Sequence, residues 1–223
     1  MISKEKEFIF IHNFKTGGTS IEKKLGLFET LERDVQDHRT IKDIELLTNR
    51  KRYIKNSLYS VKVGKPKSAL RNVKLLLSPE LTSAEYNRYY KFTFIRNTWA
   101  RVYSWYANVI KDEVLRTSIG VTDPNCSFED FLKSNMDHTT FSQLYFITDA
   151  KGNVPMDFIG RFENLQSDFD KVCEHLQIED SELPKLLVRK YGHYTDNYTD
   201  ETKDLVYNLY RKEIDYFKFE FGE

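Results

Sequence analysis

Residues 8–20, F-I-F-I-H-N-F-K-T-G-G-T-S, decide the fold. An apolar run, Phe8 to His12, reads as a buried parallel strand. A Lys-Thr-Gly-Gly-Thr-Ser turn follows and opens a helix expected over Thr19 to Leu25. Strand, glycine turn and helix in that order make a phosphate-binding loop. The glycines let the backbone approach an anion, the first N–H groups of the helix point at it, and Lys15 adds charge where the helix dipole favours an anion. The candidate ligands are Lys15, Thr16, Gly17, Gly18, Thr19 and Ser20. In the nucleoside-triphosphate form, G-x-x-x-x-G-K-[ST], the lysine follows the second glycine. Here Lys15 precedes Gly17 and Gly18, so that pattern fails. A Gly-Gly pair by itself signals only a turn.

A second segment carries the argument further. Residues 91–106 read K-F-T-F-I-R-N-T-W-A-R-V-Y-S-W-Y: an apolar strand, Lys91 to Ile95, ends in Arg96, a helix follows over Trp99 to Val109, and Ser104 lies eight positions after the arginine. A guanidinium grips phosphate through two parallel hydrogen bonds. Trp99, Tyr103, Trp105 and Tyr106 are read as core rather than as a base-stacking box.

Taken together, the two segments resemble the sulfotransferases that use 3′-phosphoadenosine 5′-phosphosulfate. Within these they are similar to the membrane-type and bacterial carbohydrate branch, which includes heparan 2-O- and chondroitin sulfotransferases. The resemblance implies that the first loop holds the 5′-phosphosulfate and that Arg96 with Ser104 holds the 3′-phosphate. D-F-I-G-R-F-E-N-L at 157–165 resembles a third family block and Y-T-D-N-Y-T-D-E-T at 194–202 a C-terminal one. In the third block Arg161 is a candidate cofactor ligand, and an internal ion pair with Glu163 is the competing reading. Three positions depart from the pattern: Phe14 and Thr98 stand where the family has proline, and Ala100 where it has an acid. Proline mainly fixes φ and removes a donor, so the first two change loop stiffness rather than delete a ligand.

The chain has 223 residues, enough for one α/β domain with a buried core, and this is the expected organisation over 1–223. Further short elements fit it: a strand at Phe158 to Gly160 and helices over 127–133, 167–176 and 200–217. The last of these has Leu205, Leu209 and Ile214 facing inward. Strands alternating with helices imply a mostly parallel central sheet flanked by helices, a P-loop-like sulfotransferase fold with ligands at the carboxyl ends of the strands.

Basic and acidic side chains number 34 each, which gives no global argument for nucleic acid. Locally the balance fails: no acid lies between Glu45 and Glu80, while nine lysines and arginines do. This basic insertion or arm, at about 48–78, has two readings: a solvated surface segment, or an arm that steers an anionic acceptor such as an acidic glycan. Cys126 and Cys173 are read as free thiols. With no signal-like leader and no apolar stretch of about 20 residues, a cytoplasmic protein is expected, or a Golgi-lumen one if the chain is a fragment.

Sulfuryl transfer needs a base for the acceptor hydroxyl, and histidine suits neutral pH. His38, in Q-D-H-R-T, falls where related bacterial sequences carry a K-H-x-T block, so resemblance sets it above His138, His175 and His193. His12 reads as a buried structural residue. The expected reaction is an in-line, metal-independent displacement from 3′-phosphoadenosine 5′-phosphosulfate. It releases adenosine 3′,5′-bisphosphate, with Lys15 and the loop stabilising the leaving phosphate. The rival readings are a P-loop-like nucleotide or small-molecule kinase and a non-catalytic binder of sulfated glycans.

Overall fold

A computed structural model describes residues 1–32, 35–136, 141–186 and 192–223. Its sheet has the order β1 (Ile2–Ser3), β2 (Phe8–Ile11), β3 (Tyr90–Ile95), β4 (Phe158–Arg161). β1 pairs antiparallel with β2, an edge hairpin not expected from the sequence. β2, β3 and β4 are parallel, with Phe8 opposite Tyr90 and Phe92 opposite Phe158.

Side-chain alternation along these strands builds two apolar layers. Phe8, Phe10, Phe92 and Phe94 point to one face, where Ile21 of α1 (Gly18–Lys24) and Phe169, Val172 and Cys173 of a helix at Leu165–His175 cover them. Ile9, Ile11 and Ile95 point to the other, packing with Trp99, Ala100 and Val102 of a helix at Thr98–Lys111 and with Val206, Tyr210 and Ile214 of the last helix, Asp200–Phe217. Hence the strands read as continuous apolar runs, and the α/β architecture read from the sequence, a mostly parallel sheet flanked by helices, stands.

Between β2 and β3 the chain forms α2 (Ile41–Leu47), α3 (Arg50–Lys62), α4 (Pro66–Leu77) and α5 (Ser83–Arg88). The Thr98–Lys111 helix is α6, and α7 (Glu113–Ser118), α8 (Phe128–Asn135) and α9 (Gln143–Ile147) follow. Leu165–His175 is α10 and Asp200–Phe217 is α11. Side-chain caps fix several starts: Thr40 and Thr82 form capping boxes with Asp43 and Glu85, and Ser127 and Ser142 accept from backbone N–H groups three residues on.

One packing expectation is corrected. The fully buried line of α11 is Thr202, Val206, Tyr210, Glu213, Ile214 and Phe217, while Leu205 and Leu209 are half-buried on its flank. The cause is polar: the Glu213 carboxylate is drawn inside by donors from two other helices, α6 and the start of α9, and the helix carries a non-helical residue at Tyr210 (φ −118°, ψ 20°). Oε1 of Glu213 accepts from Thr98 Oγ1 (2.7 Å), Arg101 Nη2 (3.1 Å) and Gln143 Nε2 (2.8 Å), and Oε2 accepts from Ser142 Oγ (2.9 Å) and Gln143 N (2.6 Å). A carboxylate taken this far out of water is tolerable only with its lone pairs filled in this way.

Candidate functional site

The loop after β2 is held from below by Asn13, whose Nδ2 donates to Thr93 Oγ1 (2.9 Å) and to the Phe94 carbonyl (3.1 Å) on β3. Lys15 then takes a left-handed φ of 64°, which costs a non-glycine residue about 1–3 kcal/mol and gathers at ligand clamps. Gly17, φ 80°, caps α1; a Cβ there would meet Leu165 Cδ2 at 2.7 Å. Gly18 has an internal reason for lacking a side chain: the His12 ring occupies the place a Cβ would take. Both glycines therefore serve close packing as well as turn geometry. The first amides of α1, on Gly18 and Thr19, have no intrahelical acceptor, as at any helix start.

The three hydroxyls of the loop behave differently from one another. Thr16 is fully buried and donates to the Asn13 carbonyl (2.9 Å), so it braces the loop from within. Ser20 Oγ accepts from Leu186 N (3.4 Å), and Thr19 Oγ1 from Gln36 Nε2 (2.6 Å).

Arg96, at the end of β3, reaches the same loop. Its Nη1 donates to the Lys15 carbonyl (3.4 Å) and its guanidinium lies 4.2 Å from the Phe162 ring centroid. Its backbone is clamped on both sides by Gln143: Arg96 N donates to Oε1 (2.7 Å), and Nε2 donates to the Arg96 carbonyl (2.9 Å). Among the described residues Arg96 meets no carboxylate, and its buried Nε has no partner. The Nε of Arg101 is likewise unpaired, but that guanidinium has a carboxylate partner in Glu213 and donates to the Phe141 carbonyl (2.7 Å). Ser104 is buried on α6, two turns in, and its hydroxyl makes no hydrogen bond among the described residues.

Arg161 is turned away from the loop. Its Nη1 pairs with Glu223 (2.8 Å), its Nη2 donates to the Phe217 carbonyl (2.9 Å), and the group lies over Phe219. The ion pair with Glu163, the competing reading, does not form; that carboxylate accepts from Asn97 N (2.8 Å) instead. Thr98, in the place of a proline, donates its hydroxyl to Glu213.

His38 is brought to the loop from the segment before α2. Its ring stacks on Phe14 (4.1 Å between centroids) and lies tilted against His12 (4.2 Å). Phe14 also meets Trp105, Phe141 and Phe146, so this departure from the family pattern is an aromatic platform rather than a change of stiffness alone. Nδ1 of His38 faces the His12 carbonyl (3.1 Å) and Nε2 faces the Gln36 amide (3.2 Å), which continues to Thr19. Donating from both nitrogens would require a charged ring. Burial, with the neighbouring His12 adding to it, opposes that charge and pushes the pKa down to about 4. The main-chain carbonyl can only accept, so the neutral ring carries its proton on Nδ1 and keeps a lone pair on Nε2; the Gln36 amide can rotate to suit.

His12 Nδ1 lies 3.0 Å from Oε2 of the fully buried Glu22, at an angle too poor for a hydrogen bond. The buried structural role expected for His12 is what is seen. Asp37 does not orient His38; Arg39 and the Met1 amino group take its carboxylate, and both hold its pKa well below the usual range against the opposing effect of burial. His175 stacks on Tyr90 and His193 bonds to Thr195, both apart from the loop. His138 lies outside the described residues.

Residues 1–220 match the sulfotransferase family. The chain belongs to that family, and sulfuryl transfer is its class of reaction. A protein of Archaeoglobus fulgidus described only as uncharacterized is 34% identical over 117 residues, 51% of this chain and 85% of that protein. No solved structure matches. Among the described residues no helix is long and apolar enough to cross a membrane. Cys126 and Cys173 are free thiols.

The structure brings Lys15, Arg96 and His38 to the same loop, with Gln36 beside His38 and Gln143 and Glu213 behind Arg96, three residues the sequence did not single out. None of the three sits in a recognisable pattern. Ser142 as a helix cap was the one available hint at Gln143.

The depressed His38 pKa has a consequence for stability. An unfolded chain protonates this ring near pH 6.5, whereas the folded one resists until about 4. Between these values the unfolded state binds more protons, so the contribution is complete above about pH 6.5 and is lost as pH falls toward 4. Denaturant titrations across that range should show stability falling with pH, and a His38→Phe variant, which keeps the stack on Phe14, should show a shallower fall. An equal slope in the variant would place the titration elsewhere.

Proposed function

We propose that this protein transfers the sulfuryl group of 3′-phosphoadenosine 5′-phosphosulfate to a hydroxyl of a carbohydrate. The observation that carries the proposal is Arg96: a guanidinium without a carboxylate partner, its Nε buried and unpaired, held against the carbonyl of a strained Lys15. Buried polar groups are almost always satisfied, so a buried orphan N–H next to a helix start favours an anion as the missing partner. The carbohydrate acceptor rests on the likeness of four sequence blocks to the carbohydrate branch of the family.

In this reading Lys15 and the Gly18 and Thr19 amides meet the 5′-phosphosulfate, and Arg96 with the Ser104 hydroxyl meets the 3′-phosphate. Thr16 and Gly17 shape the loop, while Ser20 closes it against Leu186. Arg161 is left out, because Glu223 and the Phe217 carbonyl already take its guanidinium. As the acceptor oxygen bonds to sulfur, the bond from sulfur to the 5′-phosphate oxygen breaks, and the hydroxyl proton passes to Nε2 of His38. Charge gathers on the leaving phosphate, where Lys15 and the loop amides stabilise it. His38 is neutral at pH 7 and has its lone pair ready. It accepts a proton only if the acceptor hydroxyl displaces the Gln36 amide.

Two measurements test the assignment. In calorimetric titrations, adenosine 3′,5′-bisphosphate should bind without Mg²⁺. The double variant Arg96→Ala, Ser104→Ala should bind it at least tenfold more weakly, while hardly changing the affinity for adenosine 5′-phosphosulfate, which lacks the 3′-phosphate. Equal losses for both ligands would make the pair structural. Lys15→Ala should lower the transfer rate by about a hundredfold to a thousandfold. A folded variant that turns over at nearly the parent rate would mean the loop does not face the leaving phosphate.

A further inference from the structure

The acid-free segment is a helical hairpin rather than a loose basic arm. α3 and α4 are joined by a turn at Gly64 (φ 68°) and pack mainly on each other, with Ser57 Oγ donating to the Ala69 carbonyl (3.4 Å). Tyr53, Ser57 and Ser60 form the inner face of α3, and Ala69, Asn72 and Leu76 that of α4.

Each helix carries a second apolar stripe that no other described residue covers. On α3 it is Ile54, Leu58 and Val61, and on α4 it is Leu70, Val73 and Leu77; Leu58, Val61, Leu70 and Leu77 are 68%, 67%, 71% and 78% exposed. At about 100° per residue, each stripe lies roughly 100° round its helix from the inner face, in the same rotational sense. In an antiparallel pair equal rotations bring the two stripes to the same side of the hairpin. Continuing outward, Lys51, Lys55 and Lys62 border the stripe on α3, and Lys67, Arg71 and Lys74 border it on α4. The hairpin thus presents an apolar centre with a row of cations along each edge.

We propose that this face docks the protein on an anionic lipid surface. The charge pattern selects that occupant. A second copy would set nine cations against nine, with no acid on either hairpin to offset them. A polysulfated glycan would meet the cations but leave six apolar side chains in water. An anionic bilayer meets both: the stripe enters the boundary between headgroups and acyl chains, and lysine and arginine reach out to the headgroups on either side. None of the nine cations forms a salt bridge among the described residues, so all remain available to lipid. The inference does not depend on the sulfuryl-transfer reading.

Sedimentation of the full chain with phosphatidylcholine vesicles, with and without phosphatidylglycerol, tests it. The protein should partition onto the anionic vesicles, less so as salt rises, and not onto phosphatidylcholine alone. The triple variant Leu58→Ser, Leu70→Ser, Leu77→Ser changes only exposed positions and should keep its circular dichroism and melting temperature while partitioning at least tenfold less. Replacing Lys51, Lys55, Lys67 and Lys74 by glutamine should weaken binding and flatten its salt dependence. Failure of the parent chain to bind anionic vesicles would overturn the proposal. So would unchanged binding by the serine variant, tight capture of soluble polysulfated glycan without vesicle binding, or a lipid-free dimer that the serine variant abolishes.

Discussion

Glu213, buried to 1% exposure, is the constraint on which the placement of Arg96 depends. Its two oxygens accept from the start of α6, from Arg101 within α6 and from the start of α9, tying those segments to α11. Removing one partner of such a buried ionic cluster typically costs about 3–5 kcal/mol, because the remaining charge is stranded. That cost makes the arrangement all-or-none. Gln143, fixed by Glu213, fixes Arg96 at both its N–H and its carbonyl, so the guanidinium leaves β3 in a set direction. A long, rotamer-rich side chain is preorganised toward the Lys15 loop by a carboxylate that does not touch it.

The loop itself is held by the same principle, a buried polar framework beneath a half-buried edge that carries Lys15, Gly17 and Thr19. Asn13 and Thr16 fasten it to β3 and to itself, and the His12 ring fills the space beside Gly18. Glu22 braces His12, while His38 lies on the ring from the other side through Phe14 and Gln36. The hydroxyl, amide and imidazole of Thr19, Gln36 and His38 form one connected line. A shift of the loop would therefore reach His38 as well as Lys15.

Much of the framework was legible in the sequence because it is periodic and local. F-I-F-I and K-F-T-F-I announce buried parallel strands, and the Gly-Gly turn announces the start of the helix after the first of them. What was not legible came from long-range pairing. Glu213 lies 70 residues from Gln143 and 115 from Thr98. On the helical wheel it falls on the same line as Val206 and Tyr210, but nothing local to an acid at that position shows the distant donors that satisfy it. Arg161 stood in a family-like block, yet its partner is Glu223 near the end of the described chain. The basic segment revealed its charge at once, but its exposed leucines became meaningful only when the hairpin geometry put both stripes on one side.

The most direct test of this account is calorimetric titration of adenosine 3′,5′-bisphosphate into a Gln143→Met variant. Methionine keeps the bulk of the side chain but cannot clamp the Arg96 backbone. If Glu213 acts on the anion site through Gln143, the folded variant should bind at least tenfold more weakly although no ligand-facing group has changed. Affinity equal to that of the parent chain, in a variant whose circular dichroism is intact, would contradict it.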